Sequence, residues 1–384
     1  MIARIFPIVL LLILLPDYYI YRHHIRRKKS WSRAARILWW VPAVVMVIYT
    51  IYMATTKHFI PENPMVMNVY LLLVGLLLAP KAVYAICSAI GLFVRRRLKS
   101  RNNYGNLIGL LLSVGIVFVV LYSFFIGPHR LNIRQEEFVS EALPASFNGY
   151  RIAQISDIHT GSIPQKLLER AVDSINARQP DLIVFTGDLQ NMQPDEIRNV
   201  APILSRLKAK DGVYSILGNH DYSFYLNCDE ATARLCEAKM VRMQQDLGWH
   251  LLLDEHVVIH NGNDSIVLVG MENVSQKEEQ SRGNIEKAMR GVGESAFVVM
   301  LQHDPTAWRS HILPRTEAHL TLSGHTHGGQ FRMVGLSPFT FKDTEWSGYY
   351  ENGARAINVS TGLGGLVPFR FGVTPEVVFI TLKR

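Results

Sequence analysis

Four apolar stretches crowd into the first 127 residues of this 384-residue chain, at about 5–21, 37–54, 66–94 and 107–127. A membrane span needs roughly 17–25 apolar residues, and in hydrocarbon such a stretch must close its own hydrogen bonds as a helix. The sequence therefore predicts a four-helix transmembrane region over 1–127. The second and fourth stretches are uninterrupted. In the first, Arg4 ahead of an apolar run resembles a signal peptide, but Pro16-Asp17-Tyr18-Tyr19 offers no small-residue cleavage site. A retained helix is expected. The third stretch is broken by Pro80-Lys81, and neither half would span alone, so one kinked or tilted helix is expected. Lys81 is read as snorkelling from that kink rather than lining a polar pathway.

Charge separates this region from the rest. Residues 1–128 hold 15 Lys and Arg against only Asp17 and Glu62, whereas 129–384 carry a small acidic excess. A nucleic-acid reader would place its basic surplus on the part outside the membrane, so nucleic acid is excluded as a partner. The basic residues cluster in two loops, Arg22-His23-His24-Ile25-Arg26-Arg27-Lys28-Lys29 and Arg95-Arg96-Arg97-Leu98-Lys99-Ser100-Arg101. The loop between the second and third stretches has only Lys57, offset by Glu62. Positive loops stay in the cytoplasm. Both termini, and 128–384 with them, are expected on the extracytoplasmic side. Three cysteines rule out a disulfide scaffold. Cys228 and Cys236 bracket a helical segment about 12 Å long, too far for a bridge, so free thiols are expected.

Residues 128–146 read as a linker. From 147 to 384, short β-branched runs alternate with amphipathic segments at 164–178, 194–209, 230–247 and 284–290, the pattern of an α/β domain. The chemistry lies in the turn after each strand. The run 151–156 leads into Asp157-Ile158-His159, 182–186 into Gly187-Asp188, and 213–217 into Gly218-Asn219-His220-Asp221. The run 296–302 leads into His303-Asp304, and 319–323 into Gly324-His325-Thr326-His327-Gly328-Gly329. Ligands of open α/β sheets gather at the carboxyl ends of strands. Residues two apart on extended chain share a face, so Asp157 with His159, and His325 with His327, can converge.

Two carboxylates, four histidines and one carboxamide suit two borderline divalent ions (manganese, iron, zinc, cobalt or nickel), with one carboxylate bridging. The surplus positive charge would attract an anionic substrate, and two such ions can share a hydroxide as nucleophile for an in-line displacement at phosphorus. Asp-X-His or Gly-Asp alone would mean little. Gly-His-Thr-His-Gly-Gly is distinctive, because two histidines between glycines serve neither a core nor a turn. The remaining histidines, among them His250, His256, His260 and His311, lie away from these strand ends and read as surface or packing residues.

The ordered set resembles the calcineurin-like metallophosphoesterase superfamily over about 147–384. The segments QISDIHTG, LSGHTHGGQ and STGLGGLVPFRFGVTPEVVFITLK resemble its membrane-associated bacterial phosphodiesterase branch. The resemblance implies a metallophosphoesterase sandwich of two mixed β-sheets flanked by helices. It implies one metal on Asp157, His159, Asp188 and His327, and a second on Asp188, Asn219, His303 and His325, with Asp188 as the bridge. His220 would protonate or orient the leaving oxygen, supported by Asp221, which would raise its pKa. Leu363-Gly364-Gly365 and Arg370 would border the pocket, by packing or by phosphate contact. The expected protein is a multi-pass, bacterial-type membrane phosphodiesterase or phosphomonoesterase acting on a phosphate ester, lipid-linked esters included. The alternative is a transporter or sensor that works through its spans and carries a non-catalytic binding domain of this fold.

Overall fold

Among the described residues of the computed structural model, four helices are long and apolar enough to cross a membrane. They are Ile2–Ile25, Arg33–Ala54, Pro64–Arg97 and Tyr104–His129, spans 1 to 4. The structure describes the whole chain except residues 1, 27, 59–60, 62, 277, 338 and 341–343. Two of the loop charges, Arg27 and Glu62, lie outside the described residues. The chain divides into two compact units, Met1–Phe125 and Ile126–Arg384.

Span 3 is one helix with a defect where the sequence placed it. Pro80 has no N–H to give to the preceding turn, and the backbone widens into a π-turn over Val74–Leu78 just before it. The Pro80 carbonyl accepts from Ser113 Oγ of span 4 at 2.7 Å. Spans 3 and 4 touch backbone to backbone: a Cβ on Gly91 would lie 2.6 Å from the amide nitrogen of Gly105. The expected role of Lys81 is corrected. Its Nζ lies 2.8 Å from Oδ1 of Asp17, whose side chain is fully buried, and 5.1 Å from the centroid of the Trp39 ring. The Trp39 indole N–H donates to the Asp17 carbonyl at 3.3 Å. An isolated charge in hydrocarbon is costly, so two opposite charges on spans 1 and 3 meet instead of snorkelling apart.

Among its described residues the second unit has two six-stranded mixed sheets. The first has the order β1(Asn132–Val139), β12(Glu376–Lys383), β2(Arg151–Ile155), β3(Leu182–Phe185), β4(Val213–Ser215) and β5(His250–Leu251). The second runs β10(Gly348–Asn352), β11(Arg355–Val359), β9(Leu320–Ser323), β8(Val298–Leu301), β7(Asp264–Gly270) and β6(Glu255–Asn261). Strand alternation explains the layering. Leu182 and Val184 face the core between the sheets with Ile152, Leu268, Val299 and Leu322, while Ile183 and Phe185 face outward. The outward side is covered by α1(Gln165–Arg178) through Leu167, Leu168, Ala171, Val172 and Ile175.

Two expectations change here. The stretch read as linker contains β1, which pairs in parallel with β12 along its whole length, Asn132 with Glu376 through Val139 with Lys383. Its mixed sequence, Asn-Ile-Arg-Gln-Glu-Glu-Phe-Val, belongs to a sheet-edge strand exposed along much of its length, which hides the apolar run of an interior strand. The segment expected as a helix over 194–209 is a 3-10 stretch, Pro194–Asn199, followed by one α-turn, Ala201–Leu204. Pro202 removes an N–H from the ladder where a continuous helix would need it.

Candidate metal centre

The strand ends meet because the loops after them are hydrogen-bonded to each other. Asp157 N–H donates to the Gly187 carbonyl at 2.9 Å, His159 N–H to Asp188 at 3.1 Å, and Thr160 N–H to Leu189 at 2.8 Å. Asp157, His159, Asp188, His325 and His327 all adopt positive φ, between 50° and 70°. That left-handed conformation is disfavoured for side chains with a Cβ and holds only where the surroundings over-determine it. Crowding is severe at Gly187, where φ is +95° and a Cβ would lie 2.6 Å from the Gly218 nitrogen and 2.8 Å from His303 Nδ1. A glycine is required there.

Among the described residues, three groups of side chains each bring their ligand-type atoms within 4.8 Å of one another. They are Asp157 with His159 and His327, Asp188 with His303 and His325, and His159 with Asp188 and His220. Asp188 links the groups, with Oδ2 3.1 Å from His303 Nε2 and 3.7 Å from His159 Nε2. Asn219 joins through its Oδ1, 2.8 Å from His325 Nδ1. The structure thus brings together all seven side chains expected as ligands and adds His220 beside them. His250 stacks on Tyr214, and His256 bonds the Ala288 carbonyl, as the packing reading expected.

The tautomers follow from the acceptors. Asn191 donates its Nδ2 to Ser162 at 3.2 Å, leaving its Oδ1 to accept from His159 Nδ1 at 3.0 Å. His159 Nε2 therefore points its lone pair into the cluster, buried and without a hydrogen-bond partner. Burial, then neighbouring His220, pushes this imidazole down to about 3, so it is neutral, as a metal ligand must be. Burial also depresses His303, but the charges of Asp188 and Asp157 and the hydrogen bonds to Asp188 and Thr186 outweigh it and raise it to about 10. The carboxylates of this site call for positive charge, and the orphaned His159 nitrogen calls for an electron-pair acceptor. The donor set fits divalent ions.

Asp221 does not act as expected. Its carboxylate accepts backbone N–H groups from Asp188 and Leu189 at 2.8 Å, Gly218 at 2.9 Å and Gln190 at 3.2 Å, clamping the β3 and β4 loops together. The His220 ring instead donates Nδ1–H to the Asn191 carbonyl at 2.6 Å. Burial lowers the His220 pKa despite the opposing pull of Asp188. Arg370 is buried and donates to the carbonyls of His327, at 3.1 Å, and Gly364, so its role is packing.

Two participants escaped the sequence reading. Asn191 orients both His159 and His220, yet it sits three residues beyond Asp188, outside any recognisable motif. Tyr225 stacks on His220, with ring centroids 4.3 Å apart and planes at 30°, and its hydroxyl accepts from Asn219 Nδ2 at 2.8 Å. Its only signal was an aromatic run, Tyr222-Ser223-Phe224-Tyr225, directly after the Gly-Asn-His-Asp turn.

Comparison with known proteins agrees with this geometry. A family model described as "Calcineurin-like phosphoesterase" matches residues 150–329, and one described as "Probable Calcineurin-like phosphoesterase, transmembrane domain" matches 3–128. An uncharacterized metallophosphoesterase of Bacillus subtilis is 30% identical over 276 residues, covering 68% of this chain and 89% of that protein. The chain belongs to the calcineurin-like metallophosphoesterases. This metallophosphoesterase is also 29% identical over 252 residues to a "Transmembrane protein with metallophosphoesterase domain" of Danio rerio. The match covers 64% of the chain and 55% of the fish protein, so it spans about half of that relative's length. An uncharacterized metallophosphoesterase of Campylobacter jejuni is 22% identical over 398 residues, covering 100% of this chain and 99% of that protein.

Proposed function

We propose that this metallophosphoesterase is a membrane-anchored phosphohydrolase, a phosphodiesterase or phosphomonoesterase, that works with two divalent ions. Asp157, His159, Asp188 and His327 would hold one ion, and Asp188, Asn219, His303 and His325 the other, with Asp188 shared. The observation that carries this reading is the lone pair of His159 Nε2, buried, unpartnered and aimed at the carboxylate that links the side-chain groups. Bound ions would supply Lewis-acid activation of water and charge to stabilise a phosphoryl transition state.

The chain's own residues do the rest. Asp188 keeps the two halves of the site in register, because its backbone is clamped by Asp221 and its Oδ1 accepts His220 N–H at 2.8 Å. His220, with Nδ1–H committed to Asn191, has only Nε2 free, and its protonated, imidazolium form would give the Nε2 proton to the leaving oxygen. Tyr225, stacked on that ring, limits its rotation. The substrate we infer is a phosphate ester of the membrane or envelope, lipid-linked esters included, and the catalytic unit we infer to be extracytoplasmic from the basic residues at the ends of spans 1 and 3, around Arg22–Ile25 and Arg95–Arg101. The transporter reading has less support, since Lys81 is neutralised by Asp17 within the spans.

Elemental analysis of the detergent-purified full chain, with a panel of mono-, di- and lipid-linked phosphate esters, tests the proposal. Two ions per chain and hydrolysis of at least one class are expected. Metal content near zero, or no turnover of any ester with divalent ions supplied, would overturn it. A C-terminal alkaline phosphatase fusion should be active outside the cytoplasm, and a silent fusion whose green-fluorescent counterpart glows would reverse the orientation.

A further inference from the structure

The chain Met333-Val334-Gly335-Leu336 makes a two-residue hairpin, with Met333 and Leu336 exchanging N–H···O bonds of 2.9 Å in both directions. Val334 and Gly335 have φ of 50° and 80°. Positive φ at both central residues is the turn geometry that favours Asn-Gly, and a β-branched residue there is strained. The strained position is also the most exposed. Val334 is 94% exposed, Leu336 55% and Met333 48%. Lone exposed apolar residues are ordinary, and Leu235, 71% exposed beside Arg234 on the helix Glu230–Asp246, is one. Three at one tip are different.

The hairpin stands on an apolar ridge. The rings of Phe369 and Phe371 stack on Phe331 at 6.4 and 5.5 Å, and half-buried Val367 and Pro368 extend the surface. Both segments begin at the candidate metal centre. One leaves from His327, and the other passes Gly364, whose N–H donates to the Asp157 carbonyl at 2.7 Å. Residues 324–340 and 361–375 contain no Asp or Glu. Arg332, beside the tip, lies 4.6 Å from the Trp346 centroid. An apolar tip above an aromatic collar, with Arg332 beside it, is the composition that seats in the headgroup boundary of an anionic bilayer. A bilayer is within reach, since span 4 ends at His129 and β1 begins at Asn132, a separation of at most about 11 Å of extended chain.

We propose that the Met333–Leu336 hairpin is a bilayer anchor, and that it holds the mouth of the metal centre at the lipid interface. The phosphohydrolase reading is not needed for this, and the test requires no turnover. The full chain, with Cys87, Cys228 and Cys236 replaced by Ala, would carry a single NBD label at Val334→Cys, Leu336→Cys or, as the water-facing reference, Leu235→Cys. Cysteine relieves the β-branched strain at 334 and fills open space, so folding is preserved. In proteoliposomes of phosphatidylcholine and phosphatidylglycerol, labels at 334 and 336 should be quenched by doxyl lipids. They should also be at least roughly threefold less accessible to iodide than the label at 235. Iodide access equal to that at 235 would overturn the anchor. So would shielding from iodide without doxyl quenching, which would mean that protein covers the tip.

Discussion

Buried charge is handled in opposite ways by the two units of this protein. In the membrane unit, Asp17 and Lys81 are 64 residues apart in sequence and end in contact at 2.8 Å, each the other's counter-ion. In the second unit, Asp157 and Asp188 sit fully buried among histidines, and a fully buried nitrogen of His159 faces them with no partner. The first arrangement balances its charge within the chain, although Asp17 Oδ2 is buried without a hydrogen-bond partner. The second asks for ions from outside. A buried ionisable residue with an internal counter-charge thus reads as architecture, whereas a convergent set with unmatched lone pairs reads as a binding site.

That contrast can be broken most directly at Asp188. Asp188→Asn keeps the shape of the shared ligand but removes its charge, and kcat for a soluble aryl phosphodiester should fall on the order of 10⁴-fold. Bound metal should fall in parallel, while circular dichroism stays unchanged. Full activity in this variant would dissolve the distinction between the units.

The membrane pair should respond in stability and not in chemistry. Lys81→Met strands Asp17 in the spans and should destabilise them by about 3–5 kcal/mol, read as lowered resistance to denaturing detergent. The double change Asp17→Leu with Lys81→Met should recover most of that loss. Either variant, in its folded fraction, should hydrolyse a soluble ester at the original rate. A selective loss of turnover there would show that the pair serves the reaction.

Smaller effects sharpen the second half of the comparison. His220→Ala should slow turnover about 10²–10³-fold with both ions retained, and least for esters with good leaving groups, because the proton donor is then dispensable. Loss of metal in this variant would move His220 into the ligand set, which its place beside His159 and Asp188 makes a fair test. Tyr225→Phe keeps the stack on His220 and deletes the hydroxyl that accepts from Asn219. A net hydrogen bond of about 1 kcal/mol corresponds to roughly fivefold, expected in metal affinity by competition titration and not in the thermal midpoint.

The sequence carried the ligands because chemistry leaves little freedom in residue type. Only imidazole, carboxylate and carboxamide groups at strand ends do this work, and glycines such as Gly187 must accompany them where a Cβ has no room. It carried the spans because hydrocarbon thickness imposes length and apolarity together. Asn191, Tyr225 and the clamp formed by Asp221 were hidden for a different reason. Each acts on a backbone group or ring brought near by loop closure, and any polar or aromatic residue at those positions would look the same in sequence. The strand at 132–139 was hidden because edge strands need not be apolar.

Hydropathy, charge placement and motif order therefore determined by themselves that this chain has a four-span region followed by a metallophosphoesterase domain with seven ligand-type side chains. Only the tertiary structure decided which groups complete one another: Asp17 with Lys81, Asp221 with the loop amides, and Asn191 with two histidines. It also decided that Val334 stands exposed at a hairpin tip. The reason is that residue type and period are local properties, whereas a counter-charge or a hydrogen-bond acceptor is supplied by whatever the fold carries within about 3 Å.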